Sequence, residues 1–244
     1  MAYLKPKTEC VERPEQLNGR RSFIWKAGAA MSAVVASTIA GFAKPVSDRN
    51  GSLKESNAVR RLHRGYEAGL DEGEYEEVLD LFDDKAEVIF NGGSFSGKNR
   101  GIRRLYCDLF RSGTTGRKIE PPAGFGPDPA KELDIVEMAA DSKTATGRFP
   151  YSMQVGTPIE GDSSLVQMAR LQGEGIEKWW EGGVCEASYV KVGNKWKIKR
   201  LEYRVTAKAD YKPGRSHAKP INVPSFTKTY PENPAGPDKL ITST

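Results

Sequence analysis

Histidine is nearly missing from this sequence. Among 244 residues there are two, His63 and His217, so a histidine-rich metal site is excluded by count. Cysteine is scarce too. Of three, Cys10 lies near the start, leaving Cys107 and Cys185 in the body of the chain. Two cysteines are not a disulfide framework. Each reads as a small buried core thiol, and pairing of the two in an oxidising compartment is the alternative. No strongly apolar run reaches the roughly 20 residues of a stable transmembrane helix. Positive charge is also less abundant than the total of +5 suggests, because residues 1–43 hold six Lys/Arg and three Glu. The remainder carries only about +2, too little to point to nucleic acid on charge alone. What is present is 38% hydrophobic and 28% charged residues, the balance of a globular protein and not of a disordered chain.

The start of the chain has the organisation of a signal peptide. Arg20 and Arg21 are followed by Ser22-Phe23-Ile24 and Lys26, then by a weakly apolar stretch from Ala27 to Phe42 with small residues at its end. The pattern resembles a twin-arginine export signal, implying the export machinery as a partner, cleavage after Ala40 or Ala43, and a periplasmic or otherwise exported location. No cysteine follows the apolar stretch, which disfavours a lipoprotein.

Residues 44–54 are polar and read as a linker. Helical spacing begins at Asn57, where Val59, Leu62, Tyr66 and Leu70 share a face, and stops at Asp71-Glu72-Gly73. A short helix is expected from Tyr75 to Phe82, a strand over Ala86–Phe90, a turn at Asn91-Gly92-Gly93 and a third helix from Asn99 to Phe110. Residues 112–131 are a Gly/Pro-rich loop. Strands follow over 132–139 and 143–155, residues 157–174 fit either a helix or a strand, and Gly193-Asn194 turns a hairpin between 175–192 and 195–207. Helices first and strands later predict an α+β domain, with N-terminal helices packed on a curved, mostly antiparallel sheet that forms a cone. The tail, 208–244, contains six prolines and is either an extended arm or disordered.

The stretch AVRRLHRGYEAGLDEGEYEEVLDLFDDKAEVIFNGGSFSGKNRGIRRLY and the closing WWEGGVCEASYVKVGNKWKIKRLEY resemble the SnoaL-like branch of the nuclear-transport-factor-2-like superfamily. The likeness covers residues 55–207. It implies a small, mostly apolar ligand of steroid-like or aromatic type, no cofactor, and a homo-oligomer, commonly a dimer. In the dehydratase and dehydrochlorinase branches a helix-end Asp works with a sheet His. Asp71 stands at the matching position and Tyr66 matches a Tyr used by some dehydratases, but this sheet region has no His.

Two readings follow. In the first, Asp71 is a pocket base and Tyr66 a hydrogen-bond donor in a cofactor-free elimination or isomerisation. In the second, the same cone binds or scaffolds without catalysis; Asp71 then only shapes the turn, and Tyr66 is a core aromatic. Trp179, Trp180, Tyr189 and Tyr203 are candidate ligand-binding residues, with one of the adjacent tryptophans facing in and the other out. His63 reads as a partly exposed helix residue. On the last strand neither alternating face is purely apolar, so sequence leaves open which one looks inward.

Overall fold

A computed structural model describes residues 46–117, 119, 121, 125, 134–159, 163–172, 175–210 and 219–241. The expected signal peptide, with its cleavage sites, and His217 lie outside the described residues.

The first helix, α1 (Val46–Glu72), starts well before Asn57 and takes in most of the stretch read as a linker. Val59, His63, Tyr66 and Leu70, spaced four, three and four, form its buried stripe. The helix ends in a Schellman motif: the Gly73 N–H donates to the Leu70 carbonyl (3.0 Å) and the Glu74 N–H to the Gly69 carbonyl (2.8 Å). Gly73 takes the required left-handed conformation, φ +76°. α2 (Tyr75–Asp80) follows, burying Tyr75, Val78 and Leu79.

β1 (Phe82–Phe90) and β2 (Gly93–Ser96) form a hairpin turned by Asn91 and Gly92, both with positive φ. The third helix, residues 97–113, is built of wide turns over Gly97–Ile102 and Arg104–Phe110 and a last α-helical turn, Arg111–Gly113. It buries Ile102, Leu105, Tyr106, Leu109 and Phe110, the face expected from their spacing. Then come β3 (Ile135–Met138), β4 (Thr144–Pro158), a fourth helix (Ser164–Leu171) in the ambiguous segment, β5 (Ile176–Val192), β6 (Lys195–Asp210) and β7 (Lys239–Leu240).

The sheet order is β3-β4-β5-β6-β1-β2-β7. Every adjacent pair is antiparallel except β1 and β6, which run parallel. The sheet curves around the helices as the expected α+β cone, and one core of aromatic and aliphatic side chains fills the space between them. Cys107 and Cys185 are both buried and both free.

The Pro-rich tail docks over residues 219–241. Phe226 packs edge-on to Phe90 and Phe95, at 6.4 and 5.8 Å between ring centroids. Asp238 accepts from the Arg104 guanidinium (2.5 Å) and the Ser96 N–H (2.7 Å). Arg104 in turn lies 4.3 Å over the Tyr230 ring. β7 then adds to the free side of β2. This part of the tail is thus held against the domain by ring, ion-pair and strand contacts.

Candidate active site in the cone

Cross-strand partners share a face of a sheet, so register fixes what lines the interior. On β5, Trp179, Glu181, Cys185 and Tyr189 face the helices, alongside Val155, Met153, Phe149 and Ala145 of β4. Trp180 points the opposite way. It is buried on the outer side, with its ring 6.3 Å from that of Phe125, and does not look into the cone. The expectation of one tryptophan in and one out is met, with Trp179 inside.

β6 breaks the simple alternation twice. Its register against β5 shifts between Tyr189 and Ser188 and again between Gly183 and Gly182. The first bulge makes the buried positions Trp196, Ile198, Leu201 and Tyr203, a spacing of two, three, two. The second brings Lys208 opposite Glu181 on the inner wall.

Glu181 is the group that the sequence reading missed. It has no solvent exposure. The Tyr151 hydroxyl donates to one carboxyl oxygen at 3.0 Å, and the Trp179 indole N–H donates to the other at 3.3 Å. The Lys208 ammonium stands 3.7 Å away and donates to the Asn91 side-chain oxygen at 2.8 Å. Burial pushes the carboxyl pKa above its ordinary value, and Lys208 with the Trp179 and Tyr151 donors pulls part of the way back. A signal for it was present in the sequence: Glu181 is the one acid in the two-residue file Trp179, Glu181, Gly183, Cys185, Ala187, Tyr189.

Next to it lies a cluster of phenols. The Tyr66 hydroxyl bonds to that of Tyr106 at 2.9 Å and also to that of Tyr203. These two bonds commit two of the three hydroxyl protons. Burial raises all three pKa values, so the phenols stay protonated as donors. Tyr151 links cluster and carboxyl, since its ring stands edge-on to Tyr203 at 5.2 Å.

Asp71 does not join them. The Schellman motif holds it in the last helical turn of α1, where it is exposed. Its nearest consequence is electrostatic: with burial and Asp134, it helps raise the Glu67 pKa to about 7.

His63 is buried, correcting the partly exposed placement. Its ring stacks on Phe149 at 3.6 Å, and its Nδ1 pairs with the Tyr189 hydroxyl at 2.8 Å. Tyr189 is thus engaged with α1 and not with the phenol cluster.

The model of the SnoaL-like domain matches residues 51–202. The chain belongs to the SnoaL-like family. No curated protein matches the sequence. Among solved structures, this SnoaL-like chain is similar to LinA, with 14% identity and a TM-score of 0.48, over 72% of this chain and 100% of LinA. It is also similar to a protein named for scytalone dehydratase from Novosphingobium aromaticivorans, with 20% identity and a TM-score of 0.45, over 70% and 100% of the two chains. A third is an NTF2-like protein with a cystatin-like fold from the same organism, with 14% identity and a TM-score of 0.41, over 67% and 89%.

Proposed function

We propose that this SnoaL-like protein is exported and carries out cofactor-free proton transfer on a small, largely apolar carbonyl compound, with Glu181 as the base. The reading rests on a carboxyl group that has no solvent exposure, sits on the inner wall of the cone and is hydrogen-bonded by Tyr151 and Trp179. A buried carboxyl of raised pKa is suited to general acid–base work near neutral pH. In the step proposed, Glu181 takes a proton from the carbon next to the carbonyl. The electron pair moves into the carbonyl, and the phenol cluster donates to the resulting oxyanion. Return of the proton to another carbon gives isomerisation, and loss of a neighbouring leaving group gives elimination. Asp71 has no part in this chemistry.

The test is hydrogen–deuterium exchange at the α-carbon of a panel of steroid and aromatic ketones, followed by NMR. Wild type is expected to accelerate exchange for at least one ketone. Glu181→Gln should lower that rate about a hundredfold, and Asp71→Asn should leave it unchanged. An exchange rate indifferent to Glu181→Gln removes the assignment. The non-catalytic reading is favoured by how fully Tyr66, Phe82, Phe90, Tyr106 and Phe110 fill the interior. It expects ketones to shift resonances of the inner wall with no exchange by any variant.

Export rests on Arg20-Arg21 and the apolar stretch behind them. Changing both to lysine in the full chain should leave the protein in the cytoplasmic fraction of its host, because the paired guanidinium groups are the address. An undiminished exported fraction would dismiss the twin-arginine route.

A further inference from the structure

On the face of the sheet away from the helices lies an open groove of about 600 Å³. Two strand irregularities create it. β6 carries its bulge at Lys199, and the pairing of β1 with β6 is interrupted between Phe82 and Glu87. There the parallel strands part, and consecutive residues Lys199 and Arg200 both border the opening, with Lys85 of β1 across from them.

The charges in the groove are not equivalent. Arg200 is engaged by Glu202 at 2.7 Å and Glu87 at 3.4 Å. Lys85 and Lys199 are exposed, and among the described residues no carboxylate lies within ion-pair distance of either ammonium group. Cross-strand neighbours Thr146 and Ser188 present hydroxyls between the strands, and the exposed Ala139 adds a small apolar edge. Glu137 also borders the groove and opposes more than one negative charge. The volume is that of a pocket for a drug-sized molecule.

We propose that this groove binds a small organic monoanion, a carboxylate or sulfonate. Lys85 and Lys199 hold the anionic head, and Thr146 and Ser188 donate to it. The site is separate from Glu181, which lies on the opposite face of the sheet, and does not depend on its chemistry.

The probe is anilinonaphthalene sulfonate, titrated by fluorescence into the full chain, with uncharged N-phenylnaphthylamine as its neutral counterpart. Wild type should bind the sulfonate saturably and the neutral dye more weakly. The double variant K85Q/K199Q, with wild-type thermal unfolding as the check on folding, should bind the sulfonate about tenfold more weakly, as expected for two exposed charge contacts. Glu181→Gln should leave the titration unchanged, which separates this groove from dye entering the cone. Absence of saturable binding, equal affinity in the double variant, or a neutral dye that binds as tightly overturns the proposal.

Discussion

Replacing His63 by phenylalanine should remove most of the acid sensitivity of the fold between pH 6.5 and 3. Burial lowers the His63 pKa from 6.5 to about 3, because a charged imidazole stacked on Phe149 has no water to solvate it. The sign follows from proton uptake. Below pH 6.5 the unfolded chain binds a proton at His63 that the folded chain refuses, so this contribution is full above pH 6.5 and is lost as pH falls toward 3. Its size is about 5 kcal/mol, from roughly 1.4 kcal/mol for each pKa unit. Glu67, whose Oε1 lies 3.6 Å from the imidazole Nε2, works the other way. Its folded pKa is raised to about 7, so folding takes up a proton there first and gains stability as pH falls from 7 toward 4.5. Its side chain is nearly half exposed, and solvent screening makes this the smaller effect.

The wild type should therefore lose stability gradually from pH 6.5 to about 4.5, where Glu67 offsets part of the loss, and fall more steeply below. Urea unfolding of His63→Phe along a pH series should give a shallow acid limb. The Tyr189 hydroxyl would lose its partner in that variant, at a cost of about 1–3 kcal/mol at every pH. The double variant with Tyr189→Phe removes this offset, leaving slope as the readout. An acid limb as steep as wild type would mean that other groups unfold the protein.

Gly113→Ala should cost about 3 kcal/mol or more, the upper range for overpacking. A methyl group at Gly113 would run into the Gly156 carbonyl group, and one at Gly156 would run into that of Gly113. Both obstacles are backbone, so no side chain can swing aside. The close approach is used by three hydrogen bonds along the part of β4 that β3 does not reach. The buried Thr115 hydroxyl donates to the Gly156 carbonyl at 3.2 Å and accepts from the Gly156 N–H at 3.0 Å, and the Gly116 N–H donates to the Gln154 carbonyl at 2.9 Å. Parting the two chains by the width of a methyl group breaks this stitching. Gly65→Ala is the control. Nothing lies within 4 Å of its added carbon, and a helical Gly→Ala change should stabilise by roughly 0.5–1 kcal/mol. The two urea midpoints should move in opposite directions; equal midpoints for Gly113→Ala and wild type would exclude the tight contact.

The elements themselves were readable because their signals are local. The third helix displays its apolar stripe directly, Gly73 marks the end of α1, and Asn91-Gly92 and Gly193-Asn194 mark the hairpins. The interior of the site was not readable, because it depends on register. Strict alternation along β6 puts Ile198 and Leu201 on opposite faces, yet both are buried, since the bulge at Lys199 resets the count. The second bulge brings Lys208 round to Glu181, and no residue type in the sequence announces it. Asp71 shows the converse. Its position resembles that of the Asp that orients a His in the resembled branches, but on α1 it falls beside the buried stripe of Tyr66 and Leu70, on the exposed side. His63 was legible in principle, since it completes the four-three-four spacing of Val59, Tyr66 and Leu70.

The two residues of β7 have an importance beyond their length. Without them, β2 would end the sheet with unpaired amide and carbonyl groups beside Phe95, an open template on which a second chain could add its own strand. The Asp238 clip to Arg104 and Ser96 keeps Lys239 and Leu240 seated on that border. A chain whose tail is pulled away therefore faces a hazard of fibrous self-association as well as a loss of packing, and the tail acts as a seam sealing the rim of the cone.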